Sequence, residues 1–285
     1  MYHLQLRLLW LIALLGMLCS HPLHAADASP KGLRVLTAGH SFCVPVQPRL
    51  AMLAQAAGIT DHVLVDTQML GGSTVTQHWN LPDEKNIAKR DLLAGKADVL
   101  ILSPHTLVPD PAIPRFTDML LQYKADGRVL IYEAWMPWDG QHPMKAAELH
   151  RDARTEEELR QIHKSWADAM AKQVREINKQ YRQPVVFTVP VGMALIKLRG
   201  MITAGKVPGI TTQDALFSDD MGHPTIPLIM LGAYCEYAVI YQRSPADIPL
   251  PAKAGIDAKL SHLLATIAWE TVTTDPLSGV MAEKK

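Results

Sequence analysis

The chain has 285 residues, 48% of them hydrophobic and 20% charged, and its 28 Lys and Arg residues balance 28 Asp and Glu. That hydrophobic share supports a sizeable core and excludes general disorder. The zero net charge supplies no basic field for a phosphate backbone, so a nucleic-acid partner is not expected.

Residues 1–26 have the layout of a secretory signal. His3 and Arg7 give a weakly positive start, an apolar run follows from Leu8 to Leu18, and small residues follow at Ala25 and Ala26, where cleavage is expected. The run is shorter than the ~20 residues of a spanning helix. The mature chain is therefore expected to be secreted or periplasmic, with no membrane contact after cleavage. Leu18 is too bulky to precede a lipid-modified cysteine at Cys19. Cys43 and Cys235 then remain, and the sequence leaves open whether they form a disulfide or two buried thiols.

Beyond the signal, short β-rich runs alternate with helical patterns. Strands are predicted at 31–38, 62–67, 98–102, 128–132 and 184–189. The run DVLIL at 98–102 has the continuous apolar character of a strand buried on both faces. Helices are predicted at 48–57, 86–93, 116–123, 155–181, 191–203 and 228–241. Thr155 with Glu158 forms a capping box for the long fourth helix. The alternation predicts an α/β fold with a mainly parallel five-stranded sheet and helices on both faces. One domain is expected over 31–275, with a flexible tail at 276–285.

In such a sheet, ligands bind beyond the carboxyl ends of the strands. Those ends carry His40 and Ser41, then Gly71, Gly72 and Ser73, then Ser103 and His105, then Glu133, Trp135 and Trp138. A serine needs a base to take its proton and an acid to fix the base's tautomer. The run Asp219-Asp220-Met221-Gly222-His223 offers both, and the D-x-x-H spacing selects Asp220 with His223. His40, His78, Trp79, Glu133, Trp135 and Trp138 are candidate substrate contacts, the tryptophans as flat faces for a sugar ring. No short-spaced metal-ligand motif and no nucleotide-binding glycine motif occurs, so neither a metal nor another cofactor is expected.

GHSF at 39–42, GG at 71–72 and DMGHP at 220–224, in that order, resemble the SGNH hydrolase (GDSL-like lipase/esterase) superfamily, in a divergent exported branch with GHSF in place of GDSL. The resemblance implies a three-layer α/β/α sandwich of flavodoxin type. It makes Ser41 the nucleophile, Asp220 the orienting acid and His223 the base, with the Ser41 amide and Gly72 forming an oxyanion hole. The family's third block carries an asparagine where this chain has His105, which becomes a replacement oxyanion donor. The implied activity is hydrolysis of an acyl ester, with an acetyl group on a carbohydrate as the expected substrate. The alternative is a non-catalytic carbohydrate-binding or structural periplasmic protein on a degenerate hydrolase scaffold, in which Ser41 and His223 lie too far apart to exchange a proton.

Overall fold

The computed structural model describes residues 30–141 and 149–281; the segment read as a signal, Cys19, His142 and the last four residues lie outside them. Every strand of the sheet belongs to one compact unit that begins at Lys31.

Strands β1 (Arg34–Gly39), β2 (Val63–Met69), β3 (Val99–Leu102), β4 (Arg128–Tyr132) and β5 (Val186–Val189) form one sheet in the order β2-β1-β3-β4-β5. Every pairing is parallel. Helices α1 (Gln47–Ala56), α2 (Val75–Trp79), α3 (Ile87–Leu93), α4 (Ala112–Tyr123), α5 (Glu156–Tyr181), α6 (Val191–Thr203), α7 (Ile226–Tyr241) and α8 (Ala258–Thr274) cover its two faces.

Strand residues alternate between the two cores because successive side chains point to opposite faces. Val35, Ile101, Leu130 and Tyr132 join one core with α1, α6, α7 and α8. Leu36, Leu100, Val129 and Ile131 join the other with α2, α3, α4 and α5. This is the three-layer α/β/α sandwich. β1 has β2 on one side and β3 on the other, so the connection reverses direction there, and the carboxyl ends of β1 and β3 are where such a sheet takes a ligand.

Helix α7 is apolar around nearly its whole circumference, which is the pattern of a helix enclosed by its neighbours. Its one acid, Glu236, is fully buried, and both carboxyl oxygens accept from Gln47 Nε2 at 3.0 and 3.1 Å. No helix among the described residues is long and apolar enough to cross a membrane. Cys43 and Cys235 are free and buried.

Three features depart from the sequence reading, the first being helix α2, which lies where no element was predicted. Helix α8 occupies a stretch to which no element was assigned. Asp257 caps it by accepting from the Leu260 amide at 2.9 Å, and Leu260, Leu264, Ile267, Ala268 and Val272 are buried at helical spacing. The expected flexible tail is held over its described part: the Leu277 carbonyl accepts from the Thr188 amide at 3.1 Å, and Ser278 and Val280 are buried. β5 is an edge strand with unpaired backbone groups, and this segment satisfies one of them.

Candidate active site

β1 can end against β3 only through Gly39, because a Cβ there would stand 2.9 Å from the Ser103 Cβ. The chain then turns sharply, with the Cys43 and Val44 amides both donating to the His40 carbonyl at 3.1 Å. The turn leaves Ser41 half-buried at the sheet end while Phe42 enters the core. The Ser41 hydroxyl lies 2.9 Å from His223 Nε2, joining residues 182 positions apart.

The carboxylate on the other ring nitrogen is that of Asp219, with Oδ2 2.5 Å from His223 Nδ1. The assignment of Asp220 is therefore corrected. Gly222 takes φ +104, a value that favours glycine, and the turn it forms brings the imidazole back over Asp219. Asp219 Oδ1 secures the turn by accepting from the amides of Gly222 at 2.9 Å and His223 at 3.0 Å. Asp220 points its side chain to solvent, while its carbonyl accepts from Arg151 Nη2 at 2.6 Å. Partial burial opposes ionisation of Asp219, but the hydrogen bonds from His223 and the two amides outweigh it and hold the carboxyl below its usual range.

The loop carrying His223 rests on a buried aromatic and ionic base. Trp135 Nε1 donates to the Gly222 carbonyl at 2.9 Å, and the Trp138 amide donates to the Met221 carbonyl at 3.0 Å. Trp135 also stacks on Phe42, with ring centroids 4.8 Å apart and planes 9° from parallel, and Phe42 meets the His223 ring edge-on at 5.3 Å. Below them, Arg199 makes a fork of two 2.7 Å bonds to Asp139, and Arg151 lies over the Phe217 ring at 4.4 Å. Arg151 and Arg199 were absent from the sequence-derived site. Only their burial beside the loop reveals them.

The backbone amides of Ser41 and Gly72 donate to no group among the described residues. Gly72 is exposed with φ +56. Its loop is fixed by a chain of polar side chains: Ser73 donates to the Leu70 carbonyl at 2.9 Å, His78 Nε2 meets Ser73 Oγ at 2.8 Å, and Gln68 Nε2 meets His78 Nδ1 at 3.0 Å.

Several proposed substrate contacts face elsewhere. His78 is fully buried in the network just described, and its pKa is lowered to about 4 by burial. Trp79 is partly buried and packs edge-on against Phe116 of α4 at 4.9 Å. His40 is buried, accepting from the Phe42 amide at 3.3 Å through Nδ1 and meeting Ser103 Oγ at 3.0 Å through Nε2. Burial, reinforced by the neighbouring His105, lowers the His40 pKa to about 3, so its imidazole is neutral near pH 7. Trp135 is 7% exposed and acts as an anchor for the loop, not as a sugar platform. Glu133 is turned into a separate cavity beside β5. Apart from Glu133, whose carboxyl has no hydrogen-bond partner among the described residues, each of these side chains finds its partners inside the fold.

His105 is half-buried, with its ring 5.6 Å from that of His40, and burial lowers its pKa, favouring the neutral form that can donate one hydrogen bond. Its Nδ1 contacts the Thr106 hydroxyl at 3.2 Å. Trp138 is half-buried.

No family model matches the chain, and no curated protein matches its sequence. Among solved structures it is similar to a DUF4886 family protein from Bacteroides uniformis, with TM-score 0.56 and 13% identity over 86% of this chain and 96% of that one. It is also similar to a candidate SGNH hydrolase from Slackia heliotrinireducens, with TM-score 0.46 and 18% identity over 73% of this chain and 98% of that one. A candidate GDSL-like lipase from Parabacteroides merdae gives TM-score 0.40 and 14% identity, over 72% and 94% of the two chains. At these identities the likeness is one of fold.

Proposed function

We propose that this chain is a serine hydrolase of SGNH type that cleaves an acyl ester through an acyl-enzyme on Ser41. The observation that carries the reading is the unbroken relay from the Ser41 hydroxyl at 2.9 Å through the His223 imidazole to Asp219 at 2.5 Å. The non-catalytic alternative required Ser41 and His223 to be separated beyond proton exchange, and 2.9 Å is hydrogen-bond distance.

The Ser41 hydroxyl donates to His223 Nε2, which takes the proton as Oγ attacks the ester carbonyl carbon. Asp219 accepts from Nδ1–H, so it selects the tautomer with a free Nε2 lone pair and stabilises the imidazolium that forms. The amides of Ser41 and Gly72 donate to the developing oxyanion, and neutral His105 serves as a third donor. His223 returns the proton to the alcohol oxygen as the C–O bond breaks. Water then attacks the acyl carbon, giving its proton to His223, and the acid leaves as Ser41 regains its hydroxyl.

We assign a short acyl group, with acetyl as the first candidate. Phe42 and Trp135 are stacked and buried beside Ser41, and His40 is hydrogen-bonded to Ser103 beneath it, so packed side chains occupy the space a long acyl chain would take. The alcohol half would then lie on the open side of the cleft, toward half-buried His105. A carbohydrate alcohol is the reading of the family resemblance; the burial of Trp135 and the packing of Trp79 against Phe116 leave half-buried Trp138 as its aromatic support. Export is proposed from residues 1–26 of the sequence alone.

The deciding experiment is hydrolysis of p-nitrophenyl acetate and of acetylated oligosaccharides, with a sulfonyl fluoride as covalent probe. Ser41→Ala should abolish both turnover and labelling in protein with an unchanged melting temperature. Turnover that survives this substitution overturns the assignment.

A further inference from the structure

At the edge of the sheet formed by β5, α5 diverges from α6 and α8 and leaves a cavity of about 990 Å³, open to solvent. None of Ser41, Asp219 and His223 lines it. Its walls are apolar at Ala171, Met193 and Met201, and its polar groups include Glu133, Thr188 and Asp275.

Glu133 is the informative residue. It is 6% exposed, and its carboxyl oxygens have no hydrogen-bond partner among the described residues. Its backbone is fully engaged, the amide donating to the Val189 carbonyl at 3.0 Å and the carbonyl accepting from the Gly192 amide at 2.7 Å, so the side chain is fixed at the strand end. Its carboxyl oxygens keep some exposure within the open cavity, so a group that satisfies them comes from that side, and leaving a largely buried carboxyl without a protein partner is costly. In a core position an apolar residue of similar size would be more stable. Asp275 lies near enough to disfavour the ionised form of Glu133 further. The Asp275 carboxylate accepts from Thr188 at 2.5 Å and from the Leu277 amide at 2.9 Å, and burial raises its pKa despite these bonds.

Of the four cations that line the cavity, two are held in ion pairs. Arg160 donates to Glu156, and Lys197 is paired with Glu270. Arg175 favours the ionised form of Asp275, and Lys206 also lines the cavity. None of these cations is hydrogen-bonded to Glu133. Two neighbouring carboxyls, Glu133 buried without any partner and Asp275 half-buried, are complemented by a donor-rich positive group attached to an apolar body.

We infer that this cavity is a second ligand site, for an organic ammonium compound whose charged nitrogen donates to Glu133 while its alkyl part lies against Ala171, Met193 and Met201. A primary ammonium has three donors and no acceptor, so it satisfies Glu133 and opposes the repulsion between Glu133 and Asp275. A neutral alcohol of the same shape would gain the apolar contact without that charge term.

The test uses the whole purified protein with hexylamine hydrochloride, 1-hexanol and sodium hexanoate, each titrated near neutral pH and followed by ligand-observed NMR and by calorimetry. Hexylammonium should bind saturably, with both 1-hexanol and hexanoate at least about tenfold weaker, a difference of roughly 1.4 kcal/mol. Glu133→Gln, which keeps the side-chain shape, should weaken the amine at least about tenfold and leave 1-hexanol unchanged. Ala171→Trp, which lays an indole over the apolar wall, should weaken binding of both compounds. Melting curves check the folding of each variant. If Ala171→Trp does not fold, Glu133→Gln alone decides. Absence of saturable amine binding, equal binding of the alcohol, or full retention of amine binding in Glu133→Gln would overturn the inference.

Discussion

Trp135 Nε1 donates to the Gly222 carbonyl at 2.9 Å, so the end of β4 and the loop that carries the candidate base are one hydrogen-bonded unit. Because Trp135 also stacks on Phe42, the residue after Ser41, a single indole touches the chain neighbours of both Ser41 and His223. Replacing Trp135 by Phe preserves a ring for stacking and deletes the donor. The loss of one such bond is worth about 0.5–1.5 kcal/mol of stability. We expect ester turnover to fall by about tenfold as the imidazole drifts from the hydroxyl, since small misplacements are costly in catalysis. Steady-state kinetics with p-nitrophenyl acetate and a melting curve measure both, and undiminished turnover would show that the indole N–H has no positioning role.

Adjacent carboxylates provide an internal control. Asp219→Asn should lower kcat by roughly 10³–10⁴, because an amide in place of the carboxylate favours the wrong imidazole tautomer. Asp220→Asn should stay within about twofold of the parent, its carboxylate being solvent-facing and its carbonyl retained. The reverse order of effects would restore the D-x-x-H assignment.

Arg199 and Asp139 form a pair whose side chains are 3% and 4% exposed. Arg199→Met leaves a buried carboxylate without its fork, which typically costs about 3–5 kcal/mol. The double substitution Arg199→Met with Asp139→Asn should recover a large part of that loss, as read by chemical denaturation. Equal instability of single and double variants would mean that Arg199 acts through its contacts to Gln213 and the Arg151 carbonyl instead.

Glu236 supplies a pH signature. Burial raises its pKa well above the ordinary 4.5, against a smaller opposite effect of the bond from Gln47. An acid whose pKa is higher in the folded state binds more protons there than when unfolded, so its contribution to stability falls as pH rises above 4.5. Glu236→Gln cannot ionise and escapes that loss. Its melting temperature relative to the parent should therefore increase from pH 4 to pH 7. A pH-independent difference would mean that Glu236 titrates normally or is charged in the fold.

The layered fold was readable because burial of a parallel sheet leaves a strong local trace. DVLIL at 98–102 can hardly be anything but a strand enclosed on both faces, and Thr155 with Glu158 marks the start of α5 at the observed capping box. Helix α8 carried the same kind of trace, in Asp257 and the spacing of Leu260, Leu264 and Ile267. The edge segment at 276–280 did not, since it gains order only by lying against β5.

The candidate site divides along the same line. Ser41, Gly72 and His223 stand out in sequence because a serine or glycine directly after a strand, and a histidine near an acid, are local patterns. Which acid faces His223 was not local in that sense. The D-x-x-H spacing favoured Asp220, whereas the left-handed turn at Gly222 selects Asp219. Trp79, Trp135 and His78 carry both apolar surface and a polar atom, so composition alone fits them equally to a ligand and to the interior. The fold offered each an interior partner.

What the sequence by itself determined is the alternation of elements and the residue types delivered to each strand end, because those depend on periodicity and chain order. The tertiary structure alone decided which side chains meet across the cleft, which turn inward, and that Glu133 faces a separate cavity. The reason is physical: hydrogen bonds and burial are settled by the position of partners far along the chain, and no local pattern encodes those distances.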